Sequence, residues 1–492
     1  MPTSDAHMSI EKLKIIVRKL LPKSRFARSV SLLVGGAAAG QAVIVGASPI
    51  LTRLYSPEDF GVLAVFASLL GILSVVASLR YQLAIPLPDC EKGAANVTVL
   101  SLIMVLGMTL LTAVVVIPLR QPIAETLNVP LLANYIWLLP LGLMLTGVYE
   151  VFNYWAIRKK AFSAIAQTKL SQSLGMVGVQ IGGHAMGPIA LLIGRVVGQA
   201  AGIFKLVKII IDNRGQFKNV TITGLVASFK TYRSFPLVST WSALSSAGGA
   251  QLPAIFIAMI ISPAAAGFYA LTSRVMSLPI GVISKSMGDV FYSEAVDANS
   301  QGKLGSLVVD IYSKMVSVGL PIAVVLIFAA PEVFRVLFGE SWARSGELAS
   351  WMTLGVFFQF ATTPPGRVFL ILERHGYALL FQLLFLLTTA ISIVVGGLWF
   401  ADLIAIIAIL ALGRSLVYCF RFWKILNLVG EKFDKLWLPL IKSLPYAALC
   451  SLPAIYAVEI YGAEGDDIYV KLALFGLSGL MAIIPSIKLY KK

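Results

Sequence analysis

Fourteen stretches of the chain are apolar enough, over enough residues, to cross a lipid bilayer, and this constrains the fold more than any other feature. A helix needs about 20 such residues to span the hydrocarbon layer. The stretches lie near 30–51, 60–82, 94–118, 131–153, 164–186, 188–210, 236–261, 265–287, 308–330, 348–371, 378–400, 402–425, 437–459 and 468–488. Charged residues are 13% of the chain, too few to cover a water-facing surface; soluble domains carry roughly 25%. The runs are continuous rather than alternating, which excludes an outer-membrane barrel. The expectation is an all-α integral membrane protein with about 14 transmembrane helices. The fifth stretch is the weakest, because Gln167, Lys169, Gln172, Gln180 and His184 interrupt it. A helix there must be sheltered inside a bundle.

The formal net charge is +16. Its placement decides what it means. With the N-terminus in the cytoplasm and the loops alternating, Lys and Arg crowd the cytoplasmic side. Only Arg53, Arg120, Arg335, Arg344 and Lys471 fall on the other, while Asp and Glu divide almost evenly. That is the bias by which membrane helices orient. The basic balance is therefore topological, and no nucleic-acid partner is expected. Both termini are expected in the cytoplasm. Residues 1–29 place Leu13, Ile16, Val17, Leu20 and Leu21 at helical spacing among Lys and Arg, which suits an amphipathic helix on an anionic leaflet. Cys90, Cys419 and Cys450 are far apart and there are three His, so neither a disulfide framework nor a metal centre is implied.

The chain contains a repeat. Ser56-Pro57-Glu58-Asp59-Phe60-Gly61-Val62-Leu63-Ala64 and Ser262-Pro263-Ala264-Ala265-Ala266-Gly267-Phe268-Tyr269-Ala270 share Ser, Pro, Gly and Ala at a constant offset of 206. Each copy joins the first and second helix of a six-helix unit. Six is even, so two such units share orientation and are related by an axis along the membrane normal, with a cavity between them. The expected organisation is a cytoplasmic segment 1–29, an N-lobe 30–211, a linker 212–235, a C-lobe 236–426 and two additional helices in 427–492.

The run Leu51-Thr52-Arg53-Leu54-Tyr55-Ser56-Pro57-Glu58-Asp59-Phe60-Gly61 resembles a stretch of bacterial O-antigen and capsule polysaccharide flippases (Wzx-type), within the multidrug/oligosaccharidyl-lipid/polysaccharide exporter (MOP) superfamily. Leu79 through Pro88 is similar to the end of their second helix, where an acidic residue often stands at the position of Gln82. Arg233-Ser234-Phe235-Pro236-Leu237 and Leu271 through Pro279 resemble their seventh and eighth helices. The resemblance implies movement of a polyprenyl-diphosphate-linked oligosaccharide from the inner to the outer leaflet of a bacterial cytoplasmic membrane. Membrane lipids, a polysaccharide polymerase and a chain-length regulator would be its partners.

Carrying a diphosphate through about 30 Å of hydrocarbon calls for a wet cavity with fixed cations. Arg195 and Arg274 lie within spans from opposite lobes, about 10–13 Å below the outer face at 1.5 Å per residue. A charge at such depth is costly unless it faces an interior cavity. Both are candidate substrate ligands, the rival reading being that each bonds a carbonyl or hydroxyl and holds the bundle. Arg53 closes the first span beside Glu58 and Asp59, as an interfacial ion pair or a gate. Arg80 and Arg367, near the inner ends of spans two and ten, are snorkelling anchors or contacts for the incoming headgroup. Glu150 is a candidate proton carrier, with Arg158 as its alternative partner.

No phosphate-binding loop for ATP and no nucleophile constellation stands out, so neither enzymatic activity nor a cofactor is expected. The alternative function is a multidrug or small-molecule antiporter of the same superfamily, which calls for an acidic site deep in the first lobe. Spans one to three carry none. A membrane enzyme acting on the same sugars would show a large polar outer loop, whereas the longest outer stretch, 331–347, is short.

Overall fold

The computed structural model describes residues 25–278, 280–460 and 468–489. A helix stands at each of the fourteen expected positions. In chain order they are α1 (Arg25–Leu54), α2 (Pro57–Val76), α3 (Glu91–Val116), α4 (Leu138–Arg158), α5 (Phe162–Gly182), α6 (Pro188–Asp212), α7 (Thr240–Ile260), α8 (Pro263–Met276), α9 (Leu304–Phe338), α10 (Ala343–Thr362), α11 (His375–Ile391), α12 (Leu403–Leu428), α13 (Asp434–Ile455) and α14 (Ile468–Leu489). No strand occurs among the described residues. Residues 1–24 of the expected amphipathic segment lie outside the described residues, and 25–29 form the start of α1.

Nine of the helices are apolar and long enough to cross a membrane by composition alone. The chain is a multi-pass membrane protein. The other five, α4, α5, α8, α10 and α14, are shorter or more polar and are held in the bundle by packing. The most polar of them, α5, lies between α1 and α6. Its Gln180 donates to the Leu191 carbonyl, its Gln172 to Gln199, and Lys205 donates to its Gln167. Sheltered hydrogen bonds are what let so many amides sit in a spanning helix.

The packing repeats after six helices. α1 packs on α5 as α7 packs on α11, α5 on α6 as α11 on α12, α4 on α6 as α10 on α12, and α3 on α4 as α9 on α10. The additional helices α13 and α14 pack on α9 and on each other. Small residues set the tightest seams. Gly36 of α1 meets the Ala166 backbone, and Gly194, Gly198 and Gly202, one helical turn apart on α6, receive Gln180, Met176 and Gln172. Such spacing lets helix backbones approach closely.

The two Ser-Pro motifs start α2 and α8. Ser56 and Ser262 each accept from the backbone N–H three residues on, and Pro occupies the first helical turn where its missing N–H costs nothing. The two motifs also meet. A Cβ on Gly61 would lie 1.9 Å from the Pro263 carbonyl oxygen, and one on Gly267 would lie 2.0 Å from that of Pro57. The repeat seen in sequence is thus a reciprocal crossing of the lobes.

Around that crossing the lobes share one core, including Leu51, Phe60, Val65, Leu132, Ile257, Leu271, Phe334 and Trp342. Trp342 is fully buried, donates its indole N–H to the Thr52 carbonyl at 3.0 Å, and packs edge-on against both Phe60 and Phe268. Asn128 reaches the Ala258 carbonyl, and Arg53 reaches that of Leu337. At the other end each lobe has its own core, around Trp155 in the N-lobe and around Tyr312 and Phe422 in the C-lobe. The protein is therefore closed at the α1–α2 end and divided at the opposite one.

Candidate functional site: a cationic cavity system

α2 and α8 are shorter than the apolar runs that contain them. The spans were expected to continue to 82 and 287, but the helices stop at Val76 and Met276. After α2 the chain makes a left-handed turn at Leu79 (φ 49°) and Arg80 (φ 64°), followed by a short helical turn at Tyr81–Ala84. Left-handed geometry costs a non-glycine residue about 1–2 kcal/mol. Here the neighbours hold it: Tyr81 is buried and donates to the Phe229 carbonyl, and Ser78 bonds Gln82. The turn sets Arg80 in the wall of a cavity of about 780 Å³.

Three cavities with charged walls lie in the bundle. The first, of about 240 Å³, lies within the N-lobe, where α1 contributes Gly40 and Gln41, α5 Lys169, Gln172 and Ser173, and α6 Arg195 and Gln199. The second, of about 180 Å³, lies between the lobes below the crossing, with Phe60 and Ser68 of α2, Gln251 of α7, and Tyr269, Ser273 and Arg274 of α8. The third, of about 780 Å³, opens at the divided end and is lined by Arg80, by Ser239 just before α7, by Ser242 and Ser246 of α7, and by Gln382 of α11. The charged residues lining these three cavities are Lys169, Arg195, Arg274 and Arg80, and no Asp or Glu is among them.

Arg195 lines the first cavity and Arg274, from the opposite lobe, lines the second. The Arg274 guanidinium sits 5.9 Å from the centre of the Phe60 ring across the lobe boundary, a cation–π contact that offsets part of its desolvation. The Arg195 Nε is buried without a partner. The expectation that these residues only brace the bundle by bonding carbonyls or hydroxyls has no such bond behind it among the described residues. Two unneutralised cations in a low-dielectric site are unfavourable, and an anion between them would remove most of that cost.

The other candidates are placed differently. Arg53 lies at the closed end, away from the three cavities, donating to the carbonyls of Pro49 and Leu337. Its expected partner Asp59 is engaged in the α2 capping box. Arg367 forms an ion pair with Asp289 of the helix Lys285–Ser300 at the divided end. Glu150 lies on α4 and lines none of the three cavities. Arg158 instead bonds the Pro86 and Pro88 carbonyls and pairs with Glu91 at 3.6 Å. His184 stands in the turn after α5. Lys169 was missed as a site residue. Its signal was the interruption of the fifth span: Lys169, Gln172, Ser173, Met176 and Gln180 fall on one helical face, the face that meets α1 and α6.

The family model described as "Polysaccharide biosynthesis protein" matches residues 50–347, more than half of the chain. The chain belongs to that family. No curated protein matches it by sequence. In structure it is similar to the lipid II flippase MurJ in an inward closed conformation, at 13% identity and a TM-score of 0.71, over 94% of this chain and 98% of that one. It is also similar to a multidrug resistance MATE family transporter of the MOP superfamily in an inward-facing conformation, at 14% identity and a TM-score of 0.60, over 81% and 94%. A third likeness is to a MOP superfamily transporter from Pyrococcus furiosus, described by the reverse polarity of its binding pocket, at 14% identity and a TM-score of 0.55, over 82% and 97%. At these identities the likenesses establish the fold alone: this member of the polysaccharide biosynthesis family folds like the flippase and the two transporters just named.

Proposed function

We propose that the protein is a flippase of the O-antigen and capsule type. It carries a polyprenyl-diphosphate-linked oligosaccharide from the inner to the outer leaflet of the bacterial cytoplasmic membrane by alternating access. The observation that carries this reading is the charge of the cavity walls: every charged residue lining the three cavities is a cation, in a protein of a polysaccharide biosynthesis family. A site for cationic drugs would need the opposite sign, so the same observation disfavours a multidrug antiporter.

In this reading the Lys and Arg bias sets the divided end in the cytoplasm with both termini. The headgroup enters there past Arg80, and the serine face of α7 offers hydroxyls to its sugars. Its diphosphate reaches Arg195 and Arg274, which neutralise it and are themselves neutralised. The Gly61–Gly267 crossing and Trp342 keep the outer face shut until the lobes rock. Moving a charge of −2 outward through about 100 mV, inside negative, is favourable by about 4–5 kcal/mol, so the membrane potential can drive the step without ATP. Arg367 serves as an additional headgroup contact at the mouth, Arg53 as part of the outer gate, and Glu150 as the carrier of a coupled proton.

Deleting the gene tests this in cells. Lipid-linked sugar units should accumulate on the inner leaflet and surface polysaccharide should disappear. Normal surface polymer in the deletion strain, with no second exporter present, contradicts the reading.

A further inference from the structure

The lobe boundary does not account for α5. A spanning helix with a lysine and several glutamines on one face is costly to place in a bilayer, and that face lines a cavity whose walls come from α1, α5 and α6. We propose that this cavity is an oxyanion site belonging to the N-lobe alone, formed by Lys169 and Arg195 with the amides of Gln172 and Gln199, and that it takes a phosphate-type anion.

Five observations support the assignment. Lys169 and Arg195 line one cavity of about 240 Å³, which has room for a phosphate group and accompanying water. No acidic residue lines it. Glu150 of α4 does not line the cavity, and no ion pair joins it to Lys169 among the described residues. The Arg195 Nε is buried and unpartnered. The amides also suit an anion, because Gln172 donates to the Gln199 side-chain oxygen, which leaves the Gln199 amide N–H groups free to donate. Lys169 is held in place over the Tyr149 ring, 4.9 Å from its centre.

The consequence deepens the transport reading and rests on it. All the walls come from α1, α5 and α6, so the site moves as part of one lobe and stays whole when the lobes separate. Arg274, on the other lobe, joins and leaves an anion that the N-lobe continues to hold. The same chemistry suits the cargo's diphosphate and a free inorganic anion.

The test is binding of labelled inorganic pyrophosphate to the full-length protein in detergent, by equilibrium dialysis. The wild type binds. Lys169→Gln weakens binding by about tenfold or more, the loss expected when a charge-assisted hydrogen bond is removed. Lys169→Arg keeps most of it, which separates loss of charge from loss of fold, and Arg344→Gln, at an exposed ion pair with Asp402 outside the cavity, stays within about threefold of wild type. Equal losses in Lys169→Gln and Arg274→Gln overturn the proposal, because the anion would then sit at the lobe boundary. Absence of binding by the wild type overturns it as well. Displacement of pyrophosphate by a short isoprenyl diphosphate supports the site with the cargo headgroup as occupant. Lys169-dependent binding without such displacement supports it with a free anion. Binding that passes these tests in a protein unable to translocate a lipid-linked saccharide removes the transport reading and keeps the site. Translocation without Lys169-dependent binding does the reverse.

Discussion

Gly61→Ala or Gly267→Ala would put a methyl group where the two lobes cross. The new Cβ on Gly61 would be 1.9 Å from the Pro263 carbonyl oxygen, and that on Gly267 2.0 Å from the Pro57 oxygen. Both obstacles are backbone atoms in the first turn of a helix, so neither can swing aside as a long side chain would. The crossing must therefore widen. Overpacking of a tight contact costs about 1–3 kcal/mol, and here the cost falls only on the state in which the two helix starts touch. Each substitution should shift the balance away from the closed state by roughly 5- to 150-fold. The two positions share one contact, so the double variant should fall short of the sum. Spin labels at Leu131→Cys and Glu340→Cys, on opposite lobes near the closed end and with the three native cysteines replaced, would report the separation. A longer-distance population should grow in both single variants. An unchanged distance distribution in a folded Gly61→Ala protein would refute the idea that this crossing is a gate.

Arg274→Ala should abolish transport and Arg274→Lys should keep part of it, since lysine retains the charge but not the planar fork; full activity of the alanine variant in a proteoliposome assay removes Arg274 from the pathway. Trp342→Ala should destabilise the closed end by about 3–5 kcal/mol, because it deletes the bond to Thr52 and both aromatic contacts; thermal unfolding should begin earlier and thiols at the crossing should label faster from outside. Glu91→Ala should change stability by no more than about 1 kcal/mol, as expected for a half-exposed ion pair, with transport near wild type; a large loss of activity would assign the Glu91–Arg158–Lys159 cluster a role in moving the lobes.

The sequence reveals the fold to the extent that hydrophobic burial in lipid controls it. Long apolar runs can only be helices there, so all fourteen helices were visible, and the Ser-Pro repeat disclosed two units in the same orientation. Contact between the repeats was not visible, because two matching motifs do not say that they touch. The early end of α2 was hidden for a different reason: the left-handed turn uses Leu79 and Arg80, residues that carry no turn signal, and depends on tertiary bonds from Tyr81 and Ser78. Arg195 and Arg274 stood out as isolated charges inside apolar runs. Lys169 did not, since its neighbours made the fifth span look weak rather than functional. Trp342 carries no signal in the sequence, and only the meeting of α2, α8 and the α9–α10 turn gives it a purpose.

The central claim is that a cationic cavity between two lobes moves a diphosphate-linked saccharide across the bilayer without ATP. The most direct measurement is translocation of a fluorescent isoprenyl-diphosphate oligosaccharide in liposomes holding only this protein, read by quenching from outside. The account predicts that an inside-negative potential accelerates export and that Arg274→Ala reduces it to the rate of empty liposomes. Equal rates in protein-containing and empty liposomes, at any potential, would contradict it.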